Sequence, residues 1–128
     1  KTREALRAGR ADCIFTNLVD FDSKYGHRND AAGFVRNLAS LDALLPGVLA
    51  ALGPDDLLLL TADHGCETTD ASTDHTRELV PFLAAGPAVR VEADLGTRPG
   101  FCDLAATAGE WLGVAAPRGA SALAVLRR

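Results

Sequence analysis

The sequence predicts an α/β fold, a partial and mostly parallel sheet flanked by helices. Two observations carry this expectation. Short apolar runs without polar alternation, such as LLLLT at 57–61, are what strands buried on both faces look like, and sheets covered on both faces are usually parallel. Between such runs, apolar residues return every three or four positions, the period of a helix. The resulting order is strand, helix, strand, loop, strand, helix.

Residues 1–10 have helix-forming composition, with Ala5, Leu6 and Ala8 on a charged background. Residues 13–19 (CIFTNLV) are apolar and rich in β-branched and aromatic side chains, as a buried strand would be, and lead to Asp20 and Asp22. Tyr25-Gly26-His27 should lie in a loop. From Asn29 the pattern turns helical through Phe34, Val35, Leu38, Leu41, Leu45, Val48, Leu49 and Leu52. Pro46 should kink that helix or split it. Gly53-Pro54-Asp55-Asp56 reads as a turn, and the strand at 57–61 then runs to Asp63-His64-Gly65. Residues 66–73 are polar and loop-like. Residues 80–85 (VPFLAA) read as a third strand, with Pro81 confined to its first residues or to an edge. A second helix is expected over 101–112, packing Leu104, Ala105, Ala108, Trp111 and Leu112. The tail at 115–128 is small and weakly patterned.

A chain of 128 residues with 48% hydrophobic content is globular and the size of one domain. Its net charge is −4, from 17 acidic and 13 basic side chains, which argues against a nucleic-acid partner, since capture of nucleic acid needs a basic face. Cys13, Cys66 and Cys102 form neither a disulfide framework nor a zinc spacing, so a reducing, cytoplasmic setting is expected. The longest apolar run, 57–62, is far short of a membrane span, and the charged residues 1–10 are not a signal peptide. The sequence has no methionine and begins at Lys1. We therefore expect residues 1–128 to be part of a longer protein whose N-terminal portion is missing. Three short strands alone would leave an apolar edge unpaired, so the chain by itself is expected to be poorly stable or to associate.

The three histidines, His27, His64 and His75, each follow an acidic residue: Asp22 five positions earlier, Asp63 directly, and Asp74 directly. A lone Asp-His pair is ordinary surface chemistry. Three such groups, using every histidine and lying in loops at sheet ends, suggest a metal site, because ligands gather at the carboxyl ends of strands in open α/β sheets. Mixed imidazole and carboxylate donors suit Zn, Mn or Fe. No G-x-S-x-G elbow supports a serine hydrolase.

The strings VDFDSKYGHRND (19–30), LTADHG (60–65) and TDHTRELVP (73–81), in this order and at these intervals, closely resemble the phosphopentomutase family, and DLGTRPGFCDLAATAGEWLGV (94–114) resembles its closing helix. That family lies within the alkaline phosphatase superfamily and is related to cofactor-independent phosphoglycerate mutase. The resemblance spans essentially the whole chain, as the C-terminal part of an alkaline-phosphatase-like core, with the family's N-terminal core segment and cap domain having no counterpart.

The resemblance implies an isomerase of nucleoside catabolism. Such an enzyme interconverts ribose or deoxyribose 1-phosphate with the 5-phosphate through a phosphothreonine, is primed by a sugar bisphosphate, and carries two divalent ions, usually manganese. Residue by residue, Asp63 and His64 match ligands of one metal, and Asp22, His27 and His75 match those of the other. Asp20 and Asp74 would orient neighbouring ligands or serve the structure. Arg77 could hold a phosphate or pair with Glu78. The nucleophilic threonine has no match here, Thr61, Thr73 and Thr76 included, so the chain alone is expected to be inactive. Where the family commonly continues from ADHG with an Asn-Asp-Pro type of sequence, this chain has Cys66-Glu67-Thr68. Cys66 is then either an extra soft ligand or an apolar filler. The alternatives are a phosphoglycerate mutase or phosphatase of the same superfamily, or a non-catalytic metal-binding remnant.

Overall fold

A computed structural model describes residues 1–128. The chain forms two units, one made of Lys1–Ala51 and Ala62–Val80, the other of Leu52–Thr61 and Pro81–Arg128. Helices with a small sheet confirm the α/β class. No helix is long and apolar enough to cross a membrane.

The first unit opens with α1 (Thr2–Ala8), closed by Gly9 in the left-handed conformation. The strand expected at 13–19 does not form: that stretch is irregular and Phe15 is 90% exposed. Its composition favours a strand, but β-propensity acts only where a neighbouring strand accepts the backbone hydrogen bonds, and none lies beside it in this chain. A π-helical turn (Phe21–Tyr25) and a 3-10 turn (Gly26–Arg28) follow.

Helix α2 (Ala31–Leu49) begins where Asp30 Oδ1 accepts the Gly33 N–H at 2.8 Å. It runs unbroken through Pro46, whose own carbonyl accepts the Ala50 N–H, so the predicted interruption does not split it. Val35, Leu38, Leu44 and Leu49 of α2 are exposed, and no apolar side chain of this unit is fully buried. With so little core, the cap matters. Asp30→Ala should destabilise this unit by about 1 kcal/mol, seen as a lower midpoint in urea followed by far-ultraviolet circular dichroism.

The second unit holds the sheet. Strands β1 (Leu58–Thr61) and β2 (Phe82–Ala85) pair antiparallel, with Leu58 opposite Ala85 and Thr61 opposite Phe82. The expectation of a mostly parallel sheet is corrected here. Parallel neighbours need a crossover, usually a helix, and the sequence between β1 and β2 contains none. Pro81 stands just before β2, where its missing N–H removes no ladder bond.

Helix α3 (Cys102–Trp111) buries Asp103, Ala106 and Thr107 rather than the face through Ala105 and Leu112 read from the sequence. The weakly patterned tail provides the core. Ala122, Leu123 and Leu126, the last two in α4 (Leu123–Leu126), are at most 2% exposed. Ala122 and Leu126 pack with Val89 against Leu57, Phe82, Ala84, Ala93 and Leu95.

Polar groups fix that tail. Thr107 donates to Asp103 O at 2.7 Å and accepts the Ala122 N–H at 2.9 Å, while Asp103 Oδ1 accepts the Ala120 N–H at 2.8 Å. Asp103 Oδ2 lies 3.4 Å from Arg98 Nε in an ion pair too poorly aligned to be a hydrogen bond.

Candidate metal centre

Every residue of the candidate centre belongs to the first unit. Asp22 projects from the π-helical turn, a local widening that is often found at functional sites. The turn is held by Phe21, whose ring meets Phe34 of α2 edge-on at 5.1 Å, and by Ser23 Oγ donating to Val19 O at 2.8 Å. His27 comes from the adjoining 3-10 turn. His64 and His75 come from the loop after β1, whose limbs are tied by a bridge between Gly65 and Thr76, with Thr76 N donating to Gly65 O at 3.0 Å. Glycine is required at 65, because a Cβ would stand 2.8 Å from Glu78 N and 2.9 Å from Thr76 O.

All three imidazoles turn Nε2 toward one atom, Asp22 Oδ1: His75 at 3.2 Å, His27 at 3.3 Å and His64 at 3.8 Å. Asp22, His64 and His75 each offer a ligand atom within 4.8 Å of the others. The His64 and His75 rings stack at 3.6 Å, and His27 lies 4.9 Å from His75. Asp63 sits at the rim, exposed, with Oδ1 3.6 Å from His64 Nε2.

Despite these approaches, Asp22 Oδ1 is buried and accepts no hydrogen bond. For His27 and His64 the carbonyl partners explain why. His27 Nδ1 faces Thr73 O at 2.6 Å and His64 Nδ1 faces Gly65 O at 3.1 Å. A carbonyl can only accept, so in both neutral rings the proton sits on Nδ1 and a bare lone pair on Nε2 points at the carboxylate. A cation satisfies the lone pairs and the orphaned carboxylate together, so the donor set fits a divalent ion.

The His27 and His64 imidazoles are thus oriented by backbone carbonyls and not by the acidic neighbours that the sequence suggested. Asp20 pairs with Lys24 at 2.9 Å, and Asp74 is exposed. Arg77 is exposed and makes no ion pair with Glu78. Cys66 packs its sulfur against Gly26, where no Cβ could be accommodated. Burial, then the nearby Asp22, Glu67 and Glu78 carboxylates, push its thiol pKa up, which suits a filler better than a thiolate ligand.

Two contributors escaped the sequence reading. Asn29 donates from Nδ2 to Asp70 O and Ser72 O, both at 3.0 Å. The Glu67 N–H donates to Thr76 Oγ1 at 2.9 Å, and Glu67 Oε1 accepts from Thr69. The only signal for Asn29 was an asparagine just ahead of a helix cap, a place where left-handed backbone is common.

The description of the metalloenzyme superfamily matches residues 1–116. The chain belongs to that superfamily. Among relatives of this metalloenzyme chain, the phosphopentomutase of Anaeromyxobacter sp. (strain K) is 56% identical, covering 98% of this chain and 33% of the relative. The phosphopentomutase of Syntrophotalea carbinolica is 56% identical over 84% of the chain, and that of Acetivibrio thermocellus is 48% identical over 89%. The chain spans about a third of the length of these relatives.

Proposed function

We propose that this chain is the metal-binding C-terminal part of a cytoplasmic phosphopentomutase, with the N-terminal core segment and cap domain supplied by the rest of that enzyme. The observation that carries the reading is the convergence of three Nε2 atoms on Asp22 Oδ1, in a chain 56% identical to a phosphopentomutase over 98% of its length. Asp22, His27 and His75 would hold one divalent ion and Asp63 and His64 the other, with manganese the proposed metal. When bound, such ions neutralise a phosphate dianion and lower the proton affinity of an attacking hydroxyl.

The chain's own groups prepare that site. Thr73 O and Gly65 O keep the Nδ1 protons of His27 and His64, so their Nε2 lone pairs stay available. Cys66 against Gly26 fills space beside Asp22. Thr76 Oγ1 is engaged with the Glu67 N–H, so we assign the phosphate-carrying threonine to a segment outside these residues. Arg77, free of an ion pair, is the proposed contact to substrate phosphate. The proposed substrates are ribose and deoxyribose 1-phosphate, with a sugar bisphosphate as activator.

The test is turnover by the full-length enzyme. Conversion of ribose 1-phosphate to the 5-phosphate should require Mn2+, stop in EDTA, and fall by more than about 100-fold in His75→Ala, while the 128-residue chain alone gives none. Turnover of 3-phosphoglycerate in place of the pentose would assign a different mutase. Metal binding without any turnover would leave a binding remnant.

A further inference from the structure

Residues 70–75 carry His75 to Asp22, yet no helix or strand supports them. They are held by three carbonyls. Asp70 O and Ser72 O accept from the side-chain amide of Asn29, and Thr73 O accepts from Nδ1 of His27. Only the NH2 end of Asn29 can serve two carbonyls, which fixes the orientation of its amide. The price is visible in its Oδ1, which is buried without a partner.

The backbone suits this task. Asn29 has φ 49, left-handed, which asparagine tolerates better than most residues. Its N–H is tied to Gly26 O at 3.0 Å, and it directly precedes Asp30, the cap of α2. The loop is therefore fastened to the base of a 19-residue helix.

We propose that Asn29 is a positioning residue of the metal centre. By holding the carbonyls of Asp70 and Ser72, it sets Thr73 O where it fixes the His27 tautomer, and it brings His75 within reach of Asp22. This rests on the metal-binding reading above.

Two variants in the full chain test it. Asn29→Gly keeps the left-handed backbone unstrained and removes the amide. Asn29→Asp keeps the shape and removes both donors. Each should weaken Mn2+ binding, titrated by electron paramagnetic resonance, by about 10- to 100-fold, as loss of a group that orients a ligand does. Each should also speed amide hydrogen exchange over residues 70–76 in the metal-free chain, with the helical signal retained. Unchanged exchange, or faster exchange with parental Mn2+ affinity, overturns the proposal. His75→Ala is measured alongside. If it binds Mn2+ as the parent does, the metal reading falls and the role of Asn29 falls with it. If it binds weakly while Asn29→Gly binds normally, only the role of Asn29 is lost.

Discussion

Asp22→Asn is expected to lower Mn2+ affinity by more than about 100-fold while making the metal-free chain slightly more stable. Loss of a group that merely orients a ligand already weakens metal sites by about 10- to 100-fold, and Asp22 stands where all three imidazoles meet. The opposite sign in the metal-free chain follows from the orphaned oxygen. A carboxylate facing lone pairs on His27 and His64 is unsatisfied, whereas an amide can donate to one of them. A gain of about 1 kcal/mol is the usual worth of one such bond. Isothermal titration with Mn2+ and thermal melting in a chelator read the two effects separately. Parental affinity would contradict the metal reading, and a lower melting temperature without metal the tautomer assignment.

Asp103→Ala should cost about 3 kcal/mol in the second unit, at the low end for breaking a buried pair because Arg98 remains partly exposed. Asp103 is 3% exposed, and its removal takes the acceptor from the Ala120 N–H and the carboxylate from Arg98 Nε, leaving Arg98 only its bond to Ala120 O. Ala120 leads into the most buried part of the molecule, Ala122 and Leu123. Its loss should therefore loosen the tail as well as the pair. Urea unfolding followed by the single tryptophan, Trp111, whose Nε1 donates to Asp55 O at 3.0 Å, gives the measurement. A cost below about 1 kcal/mol would show that neither the ion pair nor the Ala120 contact holds the tail.

The class of the fold was legible because α2 and the two strands are encoded locally, by a 3.6-residue period and by short apolar runs. Strand direction was not, because nothing in LLLLT or VPFLAA states which way a partner runs. The connection decides it, and here the connection is a loop. The stretch at 13–19 shows the converse: strand composition is not enough without a strand alongside. The tail was unreadable for a different reason. Ala122, Leu123 and Leu126 have no amphipathic period, and they are buried through Asp103 and Thr107, two polar residues that a hydrophobic pattern ignores. At the centre, the five candidate ligands were legible as acid–histidine groups, and the structure gathers the three histidines around one oxygen of Asp22 with Asp63 at the rim. The carbonyls that orient the imidazoles were invisible, since every residue has a carbonyl.

The bond from His27 to Thr73 joins positions 46 apart in the chain. Bringing such distant segments together costs entropy on the order of 3 kcal/mol, which a few bonds scarcely offset in a unit without a sealed core. This corner is therefore expected to close late as the polypeptide folds and to open early. An ion that recognises only the closed form adds about 1.4 kcal/mol for each tenfold excess over its dissociation constant. At the proposed centre, the supply of divalent cations would thereby set how much of this unit is folded, before any reaction is asked of it.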